Sequence, residues 1–453
     1  MPTGGQLTQH ADGAGRPAAG GRIKDAPAAG GPVPHQPGRP WLGRRHLMAA
    51  YAVFGAYAVA AAVLSGGRDQ VWAIWAACGY AVALVMLWRG RGRITPVLVS
   101  VALAVLAPLL WLSVAYPLED GMFVIDRSAT LLLHHGLPYL SAAQVTYWRS
   151  YNPYLPLMTL FGLPSAAGLG GLAGNSGVWI AIGTVIPLAA AFRIAMPPRG
   201  DDPRCPSREG THRDRPARRD ALLAAAVAVA SPVIALNLAV ITTDPPVLAL
   251  ILLALALAAP GRSAGLAGIA GSGVALGAAC DLKSTAWLAV PVLAAMFAAR
   301  DGARAAGRFV AAVVVTIAVL VAALAPAALT SLSGANALVQ NSVLFPLGLT
   351  RYKTPAESLL PGHLLTSMGT AGHVLSVGLL LAAGLGIAIS LVIRPPRDVP
   401  AAARRLAVGL ALMFLLGPDI RFGYFIYPLG LIGWLALNKP ALGGPGPDGL
   451  VKG

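Results

Sequence analysis

ITPVLVSVALAVLAPLLWLSVA, residues Ile94–Ala115, is followed three residues later by the acids Glu119 and Asp120. The run carries no charge, and at ~1.5 Å per residue it is long enough to cross a hydrocarbon core of about 30 Å. Carboxylates held where such a span meets a polar loop are costly. They mark a functional-site candidate, against the plainer alternative of a solvated loop end.

Comparable apolar runs recur from His46 to the end of the chain, separated by short breaks that carry Arg or Asp. A composition 56% hydrophobic and only 11% charged, with a mean hydropathy of +0.67, excludes a soluble globular class. The reading is all-α: a polytopic transmembrane bundle of about twelve spans, with interfacial helix in its first large outer loop.

The formal net charge of +16 does not point to nucleic acid. The arginines fall in short groups between apolar runs and not on one face of a folded domain, so topology and contact with membrane lipids explain them better. Cys78, Cys205 and Cys280 are scattered, with neither a disulfide framework nor metal-ligand spacing.

Orientation follows from Lys and Arg near the span ends. Residues 1–45, rich in Gly, Pro and Ala, read as a disordered cytoplasmic tail. The membrane domain covers 46–438, opening with a hairpin over 46–93 whose ends, Arg44–Arg45 and Arg89–Arg93, are cytoplasmic. A core over 94–438 then places the loops 116–152 and 331–367 outside and the Arg-rich loop 196–220 inside. A cytoplasmic tail, 439–453, ends the chain. Tyr154–Leu172, interrupted by Pro156, Pro164 and several glycines, reads as re-entrant or interfacial and not as a full span. Glu119, Asp120, Asp244, Asp281 and Asp419 then share the extracytoplasmic face, although acids are permitted on either side.

Phe123 to His135 reads as a short amphipathic helix stopped by Gly136 and Pro138, with Asp126, Thr130 and His134 on one face. A carboxylate at the outer mouth, near cations, suits group transfer from a lipid-linked donor. The carboxylate takes the acceptor's proton as general base, and a cation meets the departing phosphate. Arg127, Arg149, Arg351, Lys353 and Arg421 are the outer cations, each equally suited to holding a headgroup or a loop. Tyr151, with Tyr147, Trp148 and Tyr154, forms an aromatic cluster able to stack on a sugar or to sit in an interfacial belt. The histidines His134, His135, His363 and His373 match no ligand spacing.

Glu119–Tyr139, EDGMFVIDRSATLLLHHGLPY, together with YNPYLP at Tyr151–Pro156, resembles the first outer loop of GT-C-type glycosyltransferases, most closely actinobacterial relatives that use polyprenyl-phosphate mannose. TTDPPVLALILLALAL at Thr242–Leu257 is similar to that family's acidic residue opening a later span, and ALGAACDLKSTAWLAVPVL at Ala275–Leu293 to its lysine-bearing hairpin. FPLGLTRYKTPAESLLPGHLL at Phe345–Leu365 resembles a further loop of these proteins.

The resemblance implies a hexosyltransferase of the cell membrane that moves one sugar, mannose by the nearest likeness, with inversion from a polyprenyl-phosphate donor to a lipid, glycan or protein hydroxyl outside the cell. It implies Asp120 or Glu119 as base. Arg351, Lys353, Arg421 and Arg127 are implied at the donor phosphate, and Tyr151, Asp244 and Lys283 at the substrate. Two spans precede the acidic loop where many relatives have one, and no clear DxD is present, so a divalent metal stays open. A transporter or lipid flippase is the rival expectation, with Pro232, Asn237 and Pro326 marking broken helices. A non-catalytic scaffold acting through the basic segments is a third.

Overall fold

The computed structural model describes residues 42–117, 119–196, 210–259, 265–352, 358–418 and 420–438, with the backbone alone over 210–217. Residues 1–41 of the first tail, the whole second tail and most of the 196–220 loop lie outside these residues, as do Lys353 and Asp419; the first helix begins at Arg44, inside the segment expected as tail. The described residues are helical, with no strand among them.

Seven described helices are long and apolar enough to cross a membrane: Arg44–Leu64, Gly67–Trp88, Ile94–Ala115, Ser176–Ala195, Ala303–Leu324, Thr370–Ile393 and Val399–Leu416. An eighth span results if Arg218–Ala230 and Pro232–Ala239, bent by 63° at Ser231, count as one. The chain is therefore a multi-pass membrane protein, and the expectation of about twelve spans is corrected to seven or eight.

The four other expected spans are the shorter helices Asp244–Leu257, Leu266–Leu282, Ala289–Asp301 and the Phe422–Leu437 segment. The 14 residues of Asp244–Leu257 reach only about 21 Å at ~1.5 Å each. Proline marks the starts of two of them. Pro245 and Pro246 open one helix, and Pro291 follows the tight Ser284–Leu288 turn. A count of apolar residues does not register such breaks.

Short and long helices occupy different places. Asp244–Leu257 is apolar on every side and buried along nearly its whole length, as an all-round hydrophobic helix must be. It packs against Ser176–Ala195, Leu266–Leu282 and Ile426–Leu437. Ala303–Leu324 and Thr370–Ile393, by contrast, bury only 11% of their apolar windows and turn the rest outward. Close crossings rest on glycine: a Cβ at Gly273 would lie 2.6 Å from Ala312 Cβ, and one at Gly277 2.7 Å from Thr316 Cβ.

Backbone groups freed by proline find partners inside the bundle. Pro108 cannot donate to Ala104, the Ile94–Ala115 helix widens to π geometry over Ala102–Leu106, and Trp72 Nε1 donates to Ala104 O at 2.9 Å. At the Ser231 bend, Tyr80 OH donates to Ala230 O at 2.6 Å. A break at membrane depth survives only when satisfied in this way.

Candidate functional site

The helix expected from Phe123 to His135 spans Asp120–His135. Glu119 caps its start, Oε2 accepting from Gly121 N at 2.8 Å, and Gly136 ends it in the left-handed region at φ 63°. The expected re-entrant segment becomes the tight helical turns of Pro156–Gly162, with two four-residue helices beyond, and makes no full span. It lies against the Asp120–His135 helix so closely that a Cβ on Gly162 would stand 2.8 Å from Ile125 O. Asp281, fully buried, accepts from Leu157 N at 3.0 Å and ties this turn to the Leu266–Leu282 helix.

The loops 116–152 and 331–367 meet beside these elements. Asn152 N donates to Asn341 Oδ1 at 2.8 Å, and Asn152 Nδ2 donates to Ser128 Oγ at 3.0 Å. Tyr151 stacks on Phe345 with ring centroids 4.5 Å apart. Asn341 sits in a π-helical turn, Gln340–Leu344, whose widened register projects it toward the first loop.

Beneath this roof is a cavity of about 210 Å³. Glu119, Asp120, Arg149, Tyr151, Asp244, Lys283 and Arg421, all singled out from sequence, line it together. Arg127 stands outside the lining. Its guanidinium donates to the carbonyls of Arg149 and Ser150 at 2.8 Å each and braces the loop. Arg351 also lies off the cavity, packed over the Tyr352 ring at 5.2 Å.

Two charge pairs of different character face the space. Arg149 Nη2 meets Asp120 Oδ1 at 3.0 Å, with side chains 46% and 37% exposed. So open a pair contributes about 0–1 kcal/mol to stability, and its charges remain available to a ligand. Lys283 Nζ donates to Asp244 Oδ1 at 2.7 Å with both side chains about nine-tenths enclosed. Tyr427 OH donates to the same oxygen at 2.7 Å, and the ammonium lies 4.5 Å from the Tyr424 ring centroid. Asp244 opens one helix and Lys283 follows the end of its neighbour, each placed as the helix dipole favours.

Burial pushes the Glu119 carboxyl above its ordinary range. The neighbouring Asp120 adds to the shift, whereas the Gly121 N–H and the positive Arg421 and Arg68 oppose it. Arg68, unremarked in the sequence, reaches the carbonyls of Pro117 and Val240 and so ties the loop start to the turn before Asp244. That turn is strained. Ile241 has φ 64°, an outlier for a β-branched residue, and is held by contact with Gly177, where a Cβ would come within 2.5 Å of it. Tyr424 and Tyr427 were also missed. The aromatic run after Arg421, FGYFIY, is the signal that announces them.

One acid of the Asp120–His135 helix lies off the cavity. Burial raises the Asp126 carboxyl to about 6, opposed by the Ser176 hydroxyl, and its Oδ1 is buried without a hydrogen-bond partner. Between its ordinary 3.8 and that value the folded chain holds more protons than the unfolded, so rising pH erodes stability across this window. Asp126→Asn is therefore expected to melt higher than wild type at pH 8, with the advantage narrowing as pH falls toward 4. Thermal unfolding followed across pH checks this.

No three or more His, Cys, Asp or Glu side chains among the described residues are grouped to hold a metal ion. Fold and site together define a polytopic membrane protein with a charge-lined polar cavity where several helix ends meet. No protein-family model, curated protein or solved structure matches the chain.

Proposed function

We propose that the protein is a GT-C-like glycosyltransferase of the cell membrane, moving a sugar, mannose by the sequence resemblance, from polyprenyl phosphate to an acceptor hydroxyl on the extracytoplasmic side. The observation that carries this reading is one cavity in which an accessible carboxylate, Asp120, faces the cations Arg149, Lys283 and Arg421 beneath stacked aromatic rings.

Arg149 engages Oδ1 of Asp120 and leaves Oδ2 for the acceptor. As the acceptor oxygen bonds to the anomeric carbon, its proton passes to Asp120. The bond from that carbon to the phosphate oxygen breaks on the opposite face, and its electron pair leaves with polyprenyl phosphate. Lys283 and Arg421 meet the growing negative charge. Among the acids, Asp120 suits the base better than Glu119, whose Oε2 is occupied in capping the helix. The donor phosphate is assigned to Lys283 and Arg421, both on the cavity wall. Arg127 is assigned to bracing the loop.

Transport is the second reading, favoured by the 63° break at Ser231, beyond which the Pro232–Ala239 helix brings Asn237 to the cavity wall. Membranes with and without the chain, incubated with labelled polyprenyl-phosphate mannose, separate the two: glycosyl transfer requires a labelled glycosylated product that appears only with the chain. Sidedness is tested in the same cells. With the native cysteines replaced by serine, Ala143→Cys in the exposed part of the first loop is expected to react with a membrane-impermeant maleimide in intact cells. Reaction only after lysis removes the site from the outer face.

A further inference from the structure

A second cavity, of about 330 Å³, opens between Ala289–Asp301, Thr370–Ile393 and Val399–Leu416, in the size range of small-ligand sites, roughly 300–1,000 Å³. On Thr370–Ile393 its wall is the helical stripe Leu380, Ala383, Gly384 and Ile387, continued by Ala388 and Leu391. Small residues hold it open: a Cβ on Gly384 would meet nothing within 4 Å, and one on Gly409 would only reach Ile387 at 3.9 Å. The lining is otherwise apolar and ends at one charge, Arg405.

Arg405 donates to Ser390 Oγ at 2.6 Å and to Arg394 O at 3.2 Å, which uses two of the five N–H groups of a guanidinium. Among the described residues no carboxylate pairs with it or with Arg394, Arg397 and Arg404 around the same helix turn. The one acid there, Asp398, accepts from Ala401 N as a helix cap. The turn thus carries an excess of positive charge beside a slot lined by apolar side chains.

We propose that this groove is a binding site for an anionic membrane phospholipid, one acyl chain lying along the Leu380–Leu391 stripe and the phosphate against Arg405. The charge favours an anionic headgroup over a zwitterionic one. The lipid is distinct from the sugar donor. Arg405 stands near the start of Val399–Leu416, whose far end leads to Arg421 in the polar cavity, so about 16 Å of helix at ~1.5 Å per residue separates the two phosphate positions. The inference is independent of the transferase reading.

The test uses the full chain, delipidated in detergent and titrated with phosphatidylglycerol or phosphatidylcholine of matched chains, read by native mass spectrometry and by thermal unfolding. Wild type is expected to retain phosphatidylglycerol preferentially and to melt higher with it. Gly384→Phe, which enters open space and so leaves the packing intact, is expected to weaken both lipids by about tenfold or more as the ring fills the slot. Arg405→Gln is expected to lower the preference for phosphatidylglycerol by roughly fivefold. Equal binding of the two lipids by wild type, unchanged binding by Gly384→Phe, or retention of polyprenyl phosphate in place of phosphatidylglycerol overturns the proposal.

Discussion

Asp120→Asn is expected to remove sugar transfer, lowering the rate by roughly 10²–10⁴-fold, the contribution typical of a positioned general base. The amide keeps the shape of the side chain and can still accept from Arg149, but it cannot take the acceptor's proton. Because the Asp120–Arg149 pair is about 40% exposed, losing its charge costs at most about 1 kcal/mol of stability, so unfolding does not account for the loss. Transfer of labelled sugar is measured at matched protein level and matched melting temperature. Glu119→Gln serves as the comparison and is expected to retain more activity, since that residue acts mainly as a helix cap. Wild-type transfer by Asp120→Asn would remove the residue from the role.

Lys283→Met has the largest expected effect on folding. Its ammonium and the Asp244 carboxylate are paired at 2.7 Å with side chains only 11% and 10% exposed. Removing one member leaves the other buried with the Tyr427 hydroxyl as its remaining hydrogen-bond partner, at a cost of about 3–5 kcal/mol. Pairing Lys283→Met with Asp244→Asn removes the stranded charge and is expected to restore most of the stability, a coupling that a double-mutant cycle in detergent measures. The double variant folds but lacks the ammonium that faces the departing phosphate, so its transfer activity stays low. Equal melting temperatures for wild type and Lys283→Met would show that the pair holds nothing together.

Helical class and membrane character were legible in the sequence because the apolar runs and their arginine breaks record burial in lipid directly. The number of spans was not. Asp244–Leu257 is as apolar as the spans, yet it is buried along nearly its whole length inside the bundle, while longer helices such as Ala303–Leu324 and Thr370–Ile393 turn most of their surface outward. Composition carries no mark of which apolar helix is covered by protein and which by lipid. Helix ends were clearer: Glu119, Gly136 and the pairs of prolines mark them locally.

At the site, Glu119, Asp120, Asp244, Lys283 and Arg421 announced themselves as charges at the edges of apolar runs, and all reach one cavity. Arg127 and Arg351 carried the same signal and lie outside it, since position at a span end does not fix the direction of a side chain. Tyr424, Tyr427 and Arg68 act through contacts distant in sequence, and the left-handed Ile241 depends on packing against Gly177. Arg68 and Ile241 had no local cue, whereas the aromatic run FGYFIY after Arg421 marks Tyr424 and Tyr427 without fixing what they touch.

The most direct measurement follows two labels at once. Purified protein in liposomes receives polyprenyl-phosphate mannose with ¹⁴C in the sugar and ³²P in the phosphate, together with a membrane extract as acceptor. The account predicts that the labels part, ¹⁴C passing to the acceptor while ³²P remains on polyprenyl phosphate, and that Asp120→Asn keeps them together. Movement of both labels across the bilayer as one molecule, with no separation by the wild-type protein, would contradict it.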